Sequence, residues 1–214
     1  MTKTYPISLV LTGKAVLVVG GGEVAARKVK GLLDCETRIT VVSPQLTSEL
    51  RQLSGQGACL WLEKTYDTSD LESVDLVFAC TDAEDLNARI SQDATERQLL
   101  VNVADRPDLC TFFLPSVLRR NSLSIAVSTD GSSPLTARLI RESLEKHVDD
   151  EIGEYLELLR TWRPQVLATL PAEKRKRFWL EAHSGQIYEF VKLGQHEQAQ
   201  DELTRLFEKL SKEE

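Results

Sequence analysis

Gly20-Gly21-Gly22-Glu23-Val24-Ala25 has the spacing G-x-G-x-x-G/A, which suits the pyrophosphate of a dinucleotide. Gly20 permits a tight turn, Gly22 lets the backbone approach phosphate, and Ala25 lets a helix pack closely on a sheet. A second candidate is Asp105, in Asp105-Arg106-Pro107-Asp108. A carboxylate there can accept a proton from a substrate. Its competing reading is a polar turn, because Asp-rich turns are common. Arg119, Arg120, Arg138 and Arg141 offer charge-assisted hydrogen bonds to substrate carboxylates. Arg138 and Arg141 are three apart and share a helix face. Plain surface solvation competes for each arginine. His147, His183 and His196 lack ligand spacing, so no fixed metal site is expected. Cys35, Cys59, Cys80 and Cys110 form no C-x-x-C pair and read as buried free thiols.

These residues need a scaffold. Ala15–Val19 is a continuous apolar run closed by glycines, as in a buried parallel strand. Further strands are expected at Ile39–Val42, Ala58–Leu62, Leu76–Ala79 and Leu99–Val103. Helical spacing fills Val24–Leu33, Gln45–Leu53 and Ala83–Gln98. The alternation predicts a mostly parallel sheet with helices on both faces. It places the glycine turn after the first strand and Asp105 just past the fifth, at the carboxyl edge where such sheets bind ligands. Beyond Phe112 the pattern changes. Ser124–Ser128 is a strand, Asp130-Gly131 a turn, and Ser133-Pro134 the cap and first position of a helix. From Asp149 the pattern is helical: Ile152–Trp162, Ala172–Ala182, Gly185–Val191 and Glu197–Leu210. Arg163-Pro164 and Leu170-Pro171 are read as breaks, and Lys174-Arg175-Lys176-Arg177 as a solvated face. The expected class is α/β: a Rossmann-type domain (1–113), a small α+β dimerisation segment (114–148) and a helical C-terminal domain (149–214).

At 42% hydrophobic and 28% charged residues, the chain has a globular rather than a disordered composition. No apolar run approaches the roughly 18 residues a membrane helix needs. The start lacks a basic region followed by an apolar core, so a cytoplasmic protein is expected. A net charge of -7 disfavours nucleic acid as partner. The second strand ends Val41-Val42-Ser43-Pro44-Gln45, with neither an acid for a ribose nor an arginine for a 2′-phosphate. These residues leave NAD and NADP open.

Several segments together resemble the precorrin-2 dehydrogenase/sirohydrochlorin ferrochelatase family, the N-terminal module of siroheme synthase. They are Val18–Lys28, Thr40–Pro44, Ala79–Asp82 with Asn87, Val101–Asp105, Phe112–Ser116, Ser128–Pro134 and Ala137–Arg141. The resemblance implies oxidation of precorrin-2 with NAD as cofactor, optional Fe²⁺ insertion, and a homodimer formed after the Rossmann domain. It implies cofactor positions at Gly22, Glu23, Val24, Pro44 and Gln45, and the expected cofactor set adds Gly20, Ser43, Thr81 and Asp82. Asp105 matches the catalytic aspartate. Asn102, Ser128, Arg119, Arg138 and Arg141 form the implied substrate set. No methyltransferase segment follows, so a stand-alone form is expected. Two departures stand out. Glu36 occupies a position usually held by glycine, where a left-handed cap costs ~1 kcal/mol and a different local turn is expected. Thr129-Asp130 stands where some members have Ser-Gly, adding a carboxylate. The rival class is a non-catalytic nucleotide-sensing Rossmann module. It would leave Asp105 and the Ser128–Arg141 stretch without a role. A dehydrogenase of another small substrate would not need several arginines.

Overall fold

The computed structural model describes residues 3–213. Two compact units divide the chain, Met1–Leu114 and Pro115–Glu214.

The first unit carries five parallel strands in the order β3-β2-β1-β4-β5. They are β1 (Ala15–Val19), β2 (Arg38–Val42), β3 (Leu60–Leu62), β4 (Leu76–Ala79) and β5 (Leu100–Val103). Their apolar runs follow from coverage on both faces. Val16 and Val18 enter one core with Ala25, Ala26 and Val29 of α1 (Glu23–Leu32). Leu17 and Val19 enter the other with Ile90 and Ala94 of α3 (Glu84–Glu96). Each fully buried valine or leucine contributes ~1.5–3 kcal/mol, so a one-residue slip of β1 would be heavily penalised. In register, Val19 is level with Val42 on one side and Ala79 on the other. The strand order reverses direction between β1 and β4, which opens a crevice at their carboxyl ends.

Three local readings shift. α2 (Ser48–Gly55) begins later than Gln45, because the Thr47 hydroxyl caps it by accepting from the Leu50 N–H at 3.4 Å. Ser43–Leu46 is therefore loop. β3 is shorter than Ala58–Leu62, since the Ala58 N–H is spent on the Leu53 carbonyl at 3.0 Å. Glu36 keeps the left-handed conformation, φ 50°, despite its side chain, so the turn expected to differ does not.

In the second unit β6 (Ser116–Arg120) and β7 (Leu123–Val127) form an antiparallel hairpin. β6 was not expected, as only Leu118 of its residues is buried and Pro115 precedes it. α4 (Pro134–Glu145) starts as read: Ser133 accepts from the Thr136 N–H at 3.2 Å and Pro134 is the first helical residue. Four helices follow, α5 (Glu151–Thr169), α6 (Ala172–Ser184), α7 (Ile187–Lys192) and α8 (His196–Lys212). α5 passes through Pro164, correcting the stop placed at Trp162. Proline inside a helix costs ~3 kcal/mol. Burial of Trp162, Val166 and Leu170 against Phe178, Leu203 and Phe207 outweighs it. The break falls at Leu170, whose ψ is 140°. The basic run is more than a solvated face. Arg175 donates to the Leu170 and Leu167 carbonyls at 2.6 and 2.8 Å, closing the end of α5.

Candidate functional site

The chemistry-bearing residues of the first unit gather at the carboxyl ends of β1, β2, β4 and β5. Gly20 turns the chain at φ 124°, and a Cβ there would lie 2.3 Å from the Cys80 carbonyl oxygen. Gly21, which the motif leaves unspecified, is under tighter restraint. Its Cβ would lie 1.8 Å from the Gln45 carbonyl oxygen and 2.7 Å from Ser43 Oγ. The Gly21 carbonyl accepts from the Thr47 N–H at 2.9 Å, so the glycine turn and the loop after β2 interlock. The run of three glycines was the available signal for this contact. At Gly22 a Cβ would meet nothing within 4 Å. Gly22 is the N-cap of α1 and supplies no side-chain cap. The first amides of α1, including those of Glu23 and Val24, therefore lack a helical partner and face a space that an anion can occupy. This passes the test for a pyrophosphate group: open backbone, unpaired donors and the positive end of a helix dipole.

Ser43 is buried and builds the loop rather than lining it. Its Oγ donates to the Gln45 carbonyl at 2.7 Å, and its carbonyl accepts from Trp61 Nε1 at 2.9 Å. Pro44 and Gln45 remain exposed beside the glycine turn. After β4, Asn87 of α3 holds Thr81 at three points. Its Oδ1 accepts from the Thr81 N–H at 3.2 Å and from Thr81 Oγ1 at 2.7 Å, and its Nδ2 donates to the Thr81 carbonyl at 2.8 Å. Asp82 follows, exposed.

Asp105 is exposed two residues past β5, with φ 58°. Aspartate tolerates this region better than most side chains. The loop carrying it is pinned by Cys110, which sequence reasoning treated only as a thiol. Cys110 Sγ accepts from the Val103 N–H at 3.2 Å and lies 3.3 Å from both the Val103 and Arg106 carbonyl oxygens. Asn102 serves the same loop: its Nδ2 donates to the Phe112 carbonyl at 3.1 Å. Arg106 forks onto Asp108 at 3.0 and 2.7 Å, which leaves Asp105 outside that pair. Burial pushes the Cys80 thiol up to about 11 and raises that of Cys110, so neither is a thiolate at neutral pH. Lys28 of α1 also reaches this edge, its amine 5.5 Å from the centre of the Phe78 ring.

The remaining predicted residues lie in the second unit. Ser128 is exposed just past β7, and its Oγ accepts from the Asp130 N–H at 3.2 Å. Asp130 adopts φ 50°, the conformation for which glycine is the easier residue. Arg138 pairs with Glu142 at 2.7 Å, and Arg141 with Glu145 at 2.5 Å. Arg120 pairs with Asp150 at 2.5 Å. Arg119 is exposed and, among the described residues, has no acidic partner. Among the described residues no group of three or more His, Cys, Asp or Glu side chains converges as a metal site would require. Among the described residues no helix is long and apolar enough to cross a membrane.

Comparison with known proteins matches three family models in chain order. One described as "Putative NAD(P)-binding" spans residues 7–116. One for the sirohaem biosynthesis protein central region spans 120–147, and one for the sirohaem synthase dimerisation region spans 151–207. A siroheme synthase of Neisseria meningitidis serogroup C (strain 053442) is 40% identical over 205 residues, covering 95% of this chain and 43% of its own length. One from Ectopseudomonas mendocina (strain ymp) is 42% identical over 197 residues, covering 91% and 42%. The chain thus spans less than half the length of these curated relatives. Among solved structures, SirC, a precorrin-2 dehydrogenase, superposes with a TM-score of 0.77 at 27% identity, covering 94% of this chain and 100% of its own.

Proposed function

The chain belongs to the NAD(P)-binding family, joined here to the central and dimerisation regions of sirohaem synthases, and on that premise we propose that it oxidises precorrin-2 to sirohydrochlorin with NAD⁺ in siroheme biosynthesis. The observation that carries this reading is the Asp105 carboxylate beyond β5, on the same sheet edge as the uncapped start of α1.

The oxidation removes two electrons and two hydrogens, one as hydride and one as proton. When bound, NAD⁺ supplies the hydride acceptor. The first amides of α1 hold its pyrophosphate, and the loops at Pro44-Gln45 and Thr81-Asp82 flank the same crevice. Asp105 takes the proton. Fe²⁺ insertion into the product would release two pyrrole protons, which the same carboxylate would accept one at a time and pass to solvent, with iron as substrate. Arg119, exposed and without an acidic partner among the described residues, is kept in this reading as a ligand for a substrate carboxylate. Free cysteines throughout the described chain support a cytoplasmic enzyme. The reading includes a homodimer, supported by the match to a dimerisation region and by Leu135, Leu139 and Ile140, which expose an apolar face on α4.

An anaerobic assay with precorrin-2 and NAD⁺, followed by Fe²⁺, tests the reading. The parent protein should release NADH. Asp105→Ala and Asp105→Asn should bind NAD⁺ like the parent in calorimetry, while turnover falls roughly 10²–10⁴-fold. Parent-rate oxidation by both variants would return Asp105 to the status of a turn residue. A parent that binds NAD⁺ but never turns over would instead favour the nucleotide-sensing module.

A further inference from the structure

Lys28 is left without a task by the reading above. It lies on the second turn of α1, where Ala25 and Val29 on neighbouring positions are buried in the core. Its stem is half-buried, and its ammonium stands over the Phe78 ring. Three lysines of the first unit find acids: Lys14 pairs with Asp75 at 3.0 Å, Lys64 with Asp70 at 2.6 Å, and Lys30 with Glu49. Among the described residues no carboxylate forms an ion pair or hydrogen bond with Lys28. The groups around it are Arg27 on its own helix, Cys80 after β4, and Cys110 and Asp105 from the loop after β5. Both thiols are held neutral by burial. Asp105 therefore contributes the nearby negative charge without contacting the amine.

A desolvated ammonium with only a ring face and a distant carboxylate for company is incompletely compensated. Burial accordingly lowers its pKa from the usual lysine value. An arriving anion would complete it, and in a site of reduced dielectric the resulting hydrogen bond is strong. The cofactor's phosphates are addressed by the start of α1, more than a turn away along the helix. The substrate of the proposed reaction carries eight carboxylates. We propose that the Lys28 ammonium binds one carboxylate of the tetrapyrrole and so sets the macrocycle against Asp105. This rests on the precorrin-2 reading and adds to it a specific anchor on the first unit.

The test uses the full chain and two substitutions. Lys28→Met keeps an unbranched stem over Phe78 and removes the charge, and Lys28→Arg keeps the charge. Sirohydrochlorin, which bears the same carboxylates, is titrated with fluorescence detection, alongside anaerobic kinetics with precorrin-2. Lys28→Met should weaken sirohydrochlorin binding and raise KM for precorrin-2 by about 10–100-fold, the scale of a lost charge-assisted hydrogen bond. NAD⁺ affinity should stay within about threefold of the parent, because the start of α1 rather than the amine addresses the cofactor's phosphates. Lys28→Arg should recover much of the affinity. In the parent, KM should rise as pH increases through the lowered pKa of Lys28, below the usual value of 10.5, and Lys28→Met should lack that rise. Parent-like sirohydrochlorin binding by Lys28→Met overturns the proposal. Loss of NAD⁺ affinity in that variant also overturns it, by placing the amine on the cofactor. Failure of the parent itself to bind sirohydrochlorin overturns the precorrin-2 reading and the anchor together, a result distinct from either.

Discussion

Gly21 and Gly22 are neighbours with opposite tolerances. A side chain on Gly21 would drive into the Gln45 carbonyl, whereas one on Gly22 would enter open space. Gly22→Asp should therefore fold like the parent, within about 0.5 kcal/mol by chemical denaturation, as for open surface sites. It should lose NAD⁺ binding in calorimetry, because the new carboxylate sits where the pyrophosphate must lie. Retained affinity would remove the cofactor from this turn. The glycine spacing was legible in the sequence because backbone clearance allows few residue types. The division of labour between Gly21 and Gly22 was not, since it depends on where the loop after β2 comes to rest. The left-handed residues Glu36, Asp105 and Asp130 were similarly hidden, as none is glycine. At Asp105 the Cys110 contacts to Val103 and Arg106 on either side add to aspartate's own tolerance of that conformation.

The loops that display the site residues depend on single polar side chains delivered by other elements. Asn87, buried on α3, satisfies both backbone groups of Thr81. Asn87→Ala should leave those groups unpaired, costing about 1–3 kcal/mol in denaturant unfolding. It should also weaken NAD⁺ binding in calorimetry as the Thr81-Asp82 loop loosens. An unaltered Kd in that variant would show the loop to be indifferent to the cofactor. Strands β1 and β4 were legible residue for residue, because burial on both faces demands an unbroken apolar run. β6 was not legible: its side chains are mostly exposed, and only pairing with β7 makes it a strand. The passage of α5 through Pro164 was hidden for the same kind of reason. Local preference disfavours it, and the aromatic core around Trp162 and Phe178 overrides that preference.

On the scale of the molecule, α4 exposes Leu135, Leu139 and Ile140 at 65, 55 and 44%. Leu135 and Leu139, four residues apart, share one face of the helix, and Ile140 lies roughly 100° further round it. A second copy of the chain is the expected cover for these residues. Light scattering at micromolar concentration should report a dimer of 24.0 kDa chains. Leu139→Lys should shift it toward monomer without unfolding the subunit, since that side chain is already half exposed. A variant that stays dimeric would exclude this face of α4 from the interface.

By itself the sequence determined the parallel sheet, the glycine turn, and the position of Asp105 past the fifth strand. Each of these follows from local constraint: apolar runs that must be buried, backbone that must clear a phosphate, and the ends of strands. Tertiary structure alone decided which polar groups remain available. It spent Ser43, Asn102 and Cys110 on holding loops and tied Arg120 to Asp150, whereas the pairs of Arg138 and Arg141 are i,i+4 contacts within α4 itself. It left Arg119 and Lys28 without an acidic partner among the described residues. Availability is a property of pairing in space: a charged side chain has the same letter in the sequence whether or not the fold has already satisfied it.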